Sequence, residues 1–303
     1  MTPIEKLEPG QVRISGYEYD DAGNASGPGP LETLTLGELD GTLPHGFVRG
    51  PELVRSYRFN APKMGLRRKI GELRQKPKIA GSLGRLTAYV LALALESIGG
   101  EPMPKQREKA ALLVAGLTVG DVFALSMDWR RVCAPRGIKF EDGSCGHCGS
   151  GWSSVRINLD TVGVRALPAD ATAADSPRAR VGLYDGIPFG EGTVQTVVVK
   201  PPTWLDFLWG VHGEAQNNKT LLRARTLGAA ICATDIEVGG RPIQRLPLQA
   251  LDELMPDDEA LLDETISRIV PTPEMVVEVD CPDCGQKNVV PMDPWNNPGF
   301  FGG

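Results

Sequence analysis

The sequence predicts an α+β fold, with a helical body, a β-rich N-terminal arm and a pair of knuckles built from two repeated helix-strand-CxxCG-strand units. Three observations lead there. The pattern Cys145-Gly-His-Cys148-Gly149 returns as Cys281-Pro-Asp-Cys284-Gly285, 136 positions later. A helical period precedes each copy: Asp121 opens an apolar run through Phe123, Leu125 and Trp129 that stops at Pro135, and Asp257 opens another through Leu261, Ile266 and Ile269 that stops at Pro271. Short alternating or β-branched runs, Ile138-Lys-Phe140 and Met275-Val-Val277-Glu278-Val279, then lead into the cysteines.

In chain order, residues 1–61 are rich in breakers, notably Gly23 to Pro30, and carry short strand candidates such as Val12 to Ile14, Thr33 to Leu36 and Val54 to Phe59. They read as a β-rich arm whose aromatic residues Tyr17, Tyr19, Phe47, Tyr57 and Phe59, like Trp295, Phe300 and Phe301 at the other end, serve association with a neighbouring chain more than the fold. Residues 62–135 read as helical. A basic cluster (Arg67, Arg68, Lys69, Arg74, Lys76, Lys78) has Leu66, Ile70 and Leu73 interleaved at helical spacing, which makes it the solvated face of an amphipathic helix. Apolar helices follow over about 83–97 and 105–117. Residues 136–165 hold the first knuckle and its outgoing strand, Ser153 to Leu159. Residues 166–273 read as an insertion: a loop, a hairpin over 181–200, a helix from Thr203 around Trp204 and Phe207, a helix over about 219–232, and a hairpin at Gly239-Gly240. Residues 274–303 carry the second knuckle and a tail with Trp295, Phe300 and Phe301.

The spacing dictates the chemistry of the knuckles. A CxxC turn aims two thiolates at one point, and a glycine after it permits the tight turn into the next strand. Each copy is half a tetrahedral Zn2+ site, so Cys145, Cys148, Cys281 and Cys284 together make one zinc ribbon. Closing the 133-position loop between Cys148 and Cys281 costs about 4 kcal/mol, against about 10–16 kcal/mol for a structural zinc site in peptides. Two unmetallated knuckles, two disulfides or two redox motifs use the same residues. No secretory signal precedes the chain, however, and a redox CxxC opens a helix rather than joining strands. His147 lies inside the first knuckle but its twin is Asp283, which makes it a bystander. Cys133 and Cys232 stand in apolar helical contexts, as small hydrophobes do.

At 303 residues, 41% of them hydrophobic, the chain can build a sizeable core. Its longest apolar run is far short of a membrane crossing, so a cytoplasmic protein without membrane partners is expected. The net charge of −6 argues against a dedicated nucleic-acid binder. HExxH, P-loop and GxSxG motifs are absent, and the histidines (His45, His147, His212) are scattered. Four cysteines would close a zinc shell, whereas catalysis needs an open position. The expectation is a non-enzymatic protein with no small-molecule substrate.

The CxxCG knuckles flanked by strands, the Pro201-Pro-Thr-Trp204 step, the helix opening at Pro256-Asp-Asp258, and the Cys-Pro-x-Cys-Gly run closing on Phe300-Phe301 give residues 105–303 a family likeness. The chain resembles baseplate-hub and tail-assembly proteins of T-even-type contractile phages and related contractile injection systems. The resemblance implies a structural or assembly role beside other tail or baseplate proteins, with only Cys145, Cys148, Cys281 and Cys284 carried over as site residues. The rival is a cytoplasmic zinc-ribbon regulator that binds nucleic acid through Arg67, Arg68, Lys69 and Arg74.

Overall fold

The computed structural model describes residues 4, 6–15, 18–19, 25–26, 31–34, 39–133, 138–140, 143–152, 155–157, 159, 162–207, 211, 218–238, 241–274 and 276–291. The run from Gly27 to Pro30, His212 and the aromatic tail from residue 292 onward lie outside them.

Four short strands come first: β1 (Val12–Ile14), β2 (Glu18–Tyr19), β3 (Ala25–Ser26) and β4 (Glu32–Leu34). A first unit follows: β5 (Asp40–Arg49), β6 (Glu52–Phe59), α1 (Met64–Arg74), α2 (Pro77–Ala80), α3 (Leu83–Ala94), β7 (Leu95–Ile98), β8 (Glu101–Pro102), α4 (Arg107–Ala115) and α5 (Val119–Cys133). Its knuckle sits among β9 (Ile138–Phe140), β10 (Gly143–Ser144), β11 (Gly151–Trp152) and β12 (Val155–Ile157). After β13 (Val164–Ala166) the plan repeats: β14 (Ala179–Phe189), β15 (Gly192–Val199), α6 (Trp204–Phe207), α7 (Lys219–Ala230), β16 (Ile231–Thr234), β17 (Glu237–Val238), β18 (Arg241–Pro242), α8 (Leu248–Leu251) and α9 (Pro256–Ile269), with a knuckle between β19 (Val276–Asp280) and β20 (Lys287–Pro291). The chain is α+β with antiparallel sheets, of order β5-β6-β7-β8 and β1-β14-β15-β16.

The duplication therefore extends well beyond the stretch visible in sequence. In both units a long hairpin is bulged, between Thr42 and Phe47 and between Gly182 and Ile187. Gly46 (φ 86°) and Gly186 (φ 81°) turn the bulged strands. A Cβ on either would meet the facing carbonyl, Val54 O at 2.4 Å or Val194 O at 2.7 Å, so only glycine fits. In both units a helix passes straight into the third strand. Phe59 faces Leu95 and Val199 faces Ile231 in register, and the next N–H along (Asn60, Lys200) donates to the last helical carbonyl (Ala94, Ala230). Leu95 and Ile231 adopt extended dihedrals at that joint, ending helices that apolar periodicity alone carries on to about 97 and 232.

The third shared device is a buried carboxylate at the start of the last helix. Asp121 accepts from the backbone N–H of His45 (2.8 Å) and Gly46 (3.1 Å); Asp258 accepts from those of Tyr184 (2.6 Å), Asp185 (3.1 Å) and Gly186 (3.0 Å). Each pins a helix to a bulge and satisfies donors that the ladder leaves open. The counterpart of Asp121 is thus Asp258, one position later than the constant offset of 136 places it. Asp257 is exposed.

Each unit has its own core. Leu43, Tyr57, Phe59, Leu91, Leu95, Ile98 and Leu125 belong to the first; Val181, Leu183, Ile187, Val197, Leu227, Ile231 and Leu262 to the second. The N-terminal arm expected over residues 1–61 is corrected in this respect. Tyr57 and Phe59 are 4% and 1% exposed in the chain's own core, because β6 is the second strand of a sheet closed by β7. Nor are residues 166–273 a mere insertion, since they supply the second hairpin and its helices. The units interlock. Trp204 of the second inserts fully buried into the first core, its indole N–H donating to Gly84 O (2.8 Å), and β1 completes the second sheet by pairing with β14. No helix among the described residues is long and apolar enough to cross a membrane.

Candidate metal centre

Both knuckles are made by the same local hydrogen bonds. Cys145 N–H donates to Ser150 O and Gly149 N–H to Cys145 O, both at 2.9 Å; Cys281 N–H donates to Gln286 O and Gly285 N–H to Cys281 O, also at 2.9 Å. Gly149 (φ 74°) and Gly285 (φ 69°) supply the left-handed residue that the turn requires. Antiparallel strands hold each base, Ser144 facing Gly151 and Asp280 facing Lys287. The first cysteine of each pair, Cys145 or Cys281, is buried and the second, Cys148 or Cys284, exposed.

These two turns meet. The four sulfurs all lie within 4.8 Å of one another, with Cys145 Sγ 3.7 Å from Cys284 Sγ and Cys148 Sγ 3.8 Å from Cys281 Sγ. An ion bonded to four sulfurs at about 2.3 Å in a tetrahedron sets them about 3.8 Å apart, whereas a disulfide needs about 2.05 Å. All six cysteines are free thiols. The donor set of four soft thiolates suits a tetrahedral metal such as zinc or iron. Asn288 was not singled out by the sequence reading, yet its Oδ1 accepts from Gly146 N–H at 3.0 Å and ties one knuckle to the other. Nothing in its spacing marks it, because position 152 of the first knuckle is a tryptophan.

The electrostatics favour a cation. Backbone N–H groups, that of Cys148 first and that of His147 beside it, draw the Cys145 thiol down to about 6 against the effect of burial. Gln286 N–H favours the Cys284 thiolate too, but desolvation and hydrogen bonds with the other three sulfurs outweigh it and push that thiol up to about 12. The Cys145 thiolate forms readily, whereas the crowded Cys284 resists ionisation. A divalent ion held by the four sulfurs would favour loss of the remaining thiol protons.

The other candidates separate from this cluster. His147 is exposed and outside the four-sulfur group, as is Asp283. Cys133 and Cys232 are half-buried, and burial raises both thiols above their ordinary value. His45, far along the chain, is buried at the first bulge. Its Nδ1 lies 2.7 Å from Gly46 O and its Nε2 2.9 Å from Ser176 Oγ, fixing the 168–177 loop on the hairpin. Arg67 donates to Cys133 O and Arg68 pairs with Glu72. Comparison with family models, with curated proteins and with solved structures finds no match to this chain.

Proposed function

We propose that the protein is a non-enzymatic structural or assembly protein in which Cys145, Cys148, Cys281 and Cys284 hold one Zn2+ as a zinc ribbon. The observation that carries this reading is the tetrahedral spacing of four thiols drawn equally from two distant knuckles. Such a shell has no place for substrate or a reactive water; its work is to lock two units into one body. The metal supplies cross-linking free energy, and the chain's residues do the rest. The glycine turns aim the sulfurs, the backbone N–H groups stabilise the thiolates, and Asn288 fixes the knuckles in register.

On this reading the protein acts through surfaces offered to other proteins. We place it, by the resemblance over residues 105–303, among the components or assembly factors of a contractile tail-like baseplate. Two of the motifs behind that resemblance have internal roles here, Trp204 as core and Asp258 as the pin of a bulge. The functional surfaces must therefore lie elsewhere. Affinity purification from the native host tests the assignment: tail or baseplate proteins should co-purify with the zinc-loaded chain. Recovery of nucleic acid alone, or of turnover at a metal with an open position, would contradict it.

A further inference from the structure

The two units carry opposite charge. Residues 40–150 hold 18 basic and 10 acidic side chains, a net of +8, and residues 179–291 hold 9 and 17, a net of −8. The excess is localised in both. On the first unit, α1 and α3 border a groove of about 590 Å³ with Leu66 and Leu93 in its lining and Lys63, Arg68 and Lys69 around it. A second depression of about 160 Å³ continues it past Lys69 toward Lys105 and Arg107. Lys63, Lys69, Lys105 and Arg107 are exposed and make no ion pair among the described residues.

On the second unit the turn from α8 to α9 is the complement. Asp252, Glu253 and Asp257 are exposed and also make no ion pair among the described residues. Between them stands Met255, 49% exposed, with Leu248 exposed nearby. An exposed apolar side chain flanked in sequence by exposed carboxylates complements a groove that Leu66 and Leu93 line together with Lys63, Arg68 and Lys69.

We infer that the basic α1/α3 groove of one copy receives the acidic α8–α9 turn of a second copy, so that the chain associates with itself head to tail. A nucleic acid would satisfy the basic groups, but it brings no apolar knob for Leu66 and Leu93 and would be repelled by the −8 unit beside it. A second copy answers both surfaces at once. Because the two surfaces differ, the contact is heterologous: it closes into a ring or runs on as a filament, unless two copies engage each other reciprocally. This inference deepens the assembly reading and rests on it for its purpose, not for its chemistry.

Sedimentation velocity of the full chain at about 0.05 M and about 1 M salt tests it, since such a contact is screened as the Debye length falls to about 3 Å. Self-association should appear at low salt and vanish at high salt. Lys63→Glu with Lys69→Glu should weaken it about tenfold or more, as should Asp252→Lys with Glu253→Lys. All four positions are exposed, so circular dichroism and metal content should stay unchanged. Mixing the two variants should restore one contact, between the intact groove of one and the intact turn of the other. A chain that stays monomeric at low salt, or association indifferent to both variants, overturns the inference. So does a monomer that binds a labelled DNA oligonucleotide through Lys63 and Lys69. If foreign partners co-purify while self-association is absent, the inference falls and the assembly reading stands; if metal is absent while copies still associate, the zinc-locked reading falls alone.

Discussion

Replacing Asp258 by alanine removes the acceptor of three backbone N–H groups at once, those of Tyr184, Asp185 and Gly186. Each buried donor left without a partner costs about 1–3 kcal/mol. Tyr184 is 52% exposed and its N–H can recruit water once the carboxylate is gone, whereas Gly186 N–H is buried. The expected loss is therefore about 3–5 kcal/mol, within the range for breaking a buried network. With a urea m-value of about 3 kcal/mol/M this lowers the unfolding midpoint by about 1–2 M at unchanged slope. Asp257→Ala is the control. Its side chain is exposed in the first helical turn and contributes about 0.3–1 kcal/mol through the helix dipole. If Asp257→Ala costs as much as Asp258→Ala, the repeat runs at a strict offset of 136 and the pinning device assigned to Asp258 is wrong.

Further expectations follow from the same contacts. Burial, and then the neighbouring Asp128, raise the Tyr57 hydroxyl well above 10, so the folded state holds this proton more tightly than the unfolded chain does. That contribution is complete below about pH 10 and is lost as pH rises above it; Tyr57→Phe should flatten the alkaline fall of stability, and an unchanged base-unfolding curve would contradict this. Deleting residues 1–50 removes β1 and β5 from the two sheets and Leu43 from a core, so the truncated chain should lose cooperative thermal unfolding; a folded, zinc-loaded product would restore the arm reading. Cys281→Ser should expose the 143–152 knuckle to proteases as well as the 276–291 hairpin, because a metal held by all four cysteines would join both. Loss of protection confined to the second knuckle would mean separate sites.

The legible parts of this molecule are those whose signal is local. The CxxCG spacing, the hairpin over 181–200 and the amphipathic α1, with Ile70 and Leu73 buried, all depend on neighbours in sequence, while the Gly239-Gly240 step lies outside the described residues. The four cysteines could be joined because the pattern around them recurs. The hairpins diverge in sequence, and what they share is a glycine at a bulge and a carboxylate more than 70 positions away, which no local pattern relates. Residues 40–59 look like an arm because β5 is interrupted by Gly41, Pro44 and Gly46, while the strand that closes their sheet, β7, lies beyond three helices. The aromatic cluster at Trp204 and Phe207 reads as core packing from its sequence, and both are buried in the first core. Nothing local, however, shows that the Trp204 indole N–H donates to Gly84 O on α3, 120 positions away.

The central claim is one metal shared by two half-sites, and metal analysis of the purified full chain tests it most directly. One zinc per chain is expected, lost together with cooperative unfolding when either Cys145 or Cys284 is replaced by serine. Two zincs per chain, or none while all four thiols are reduced and the protein is fully folded, would contradict it.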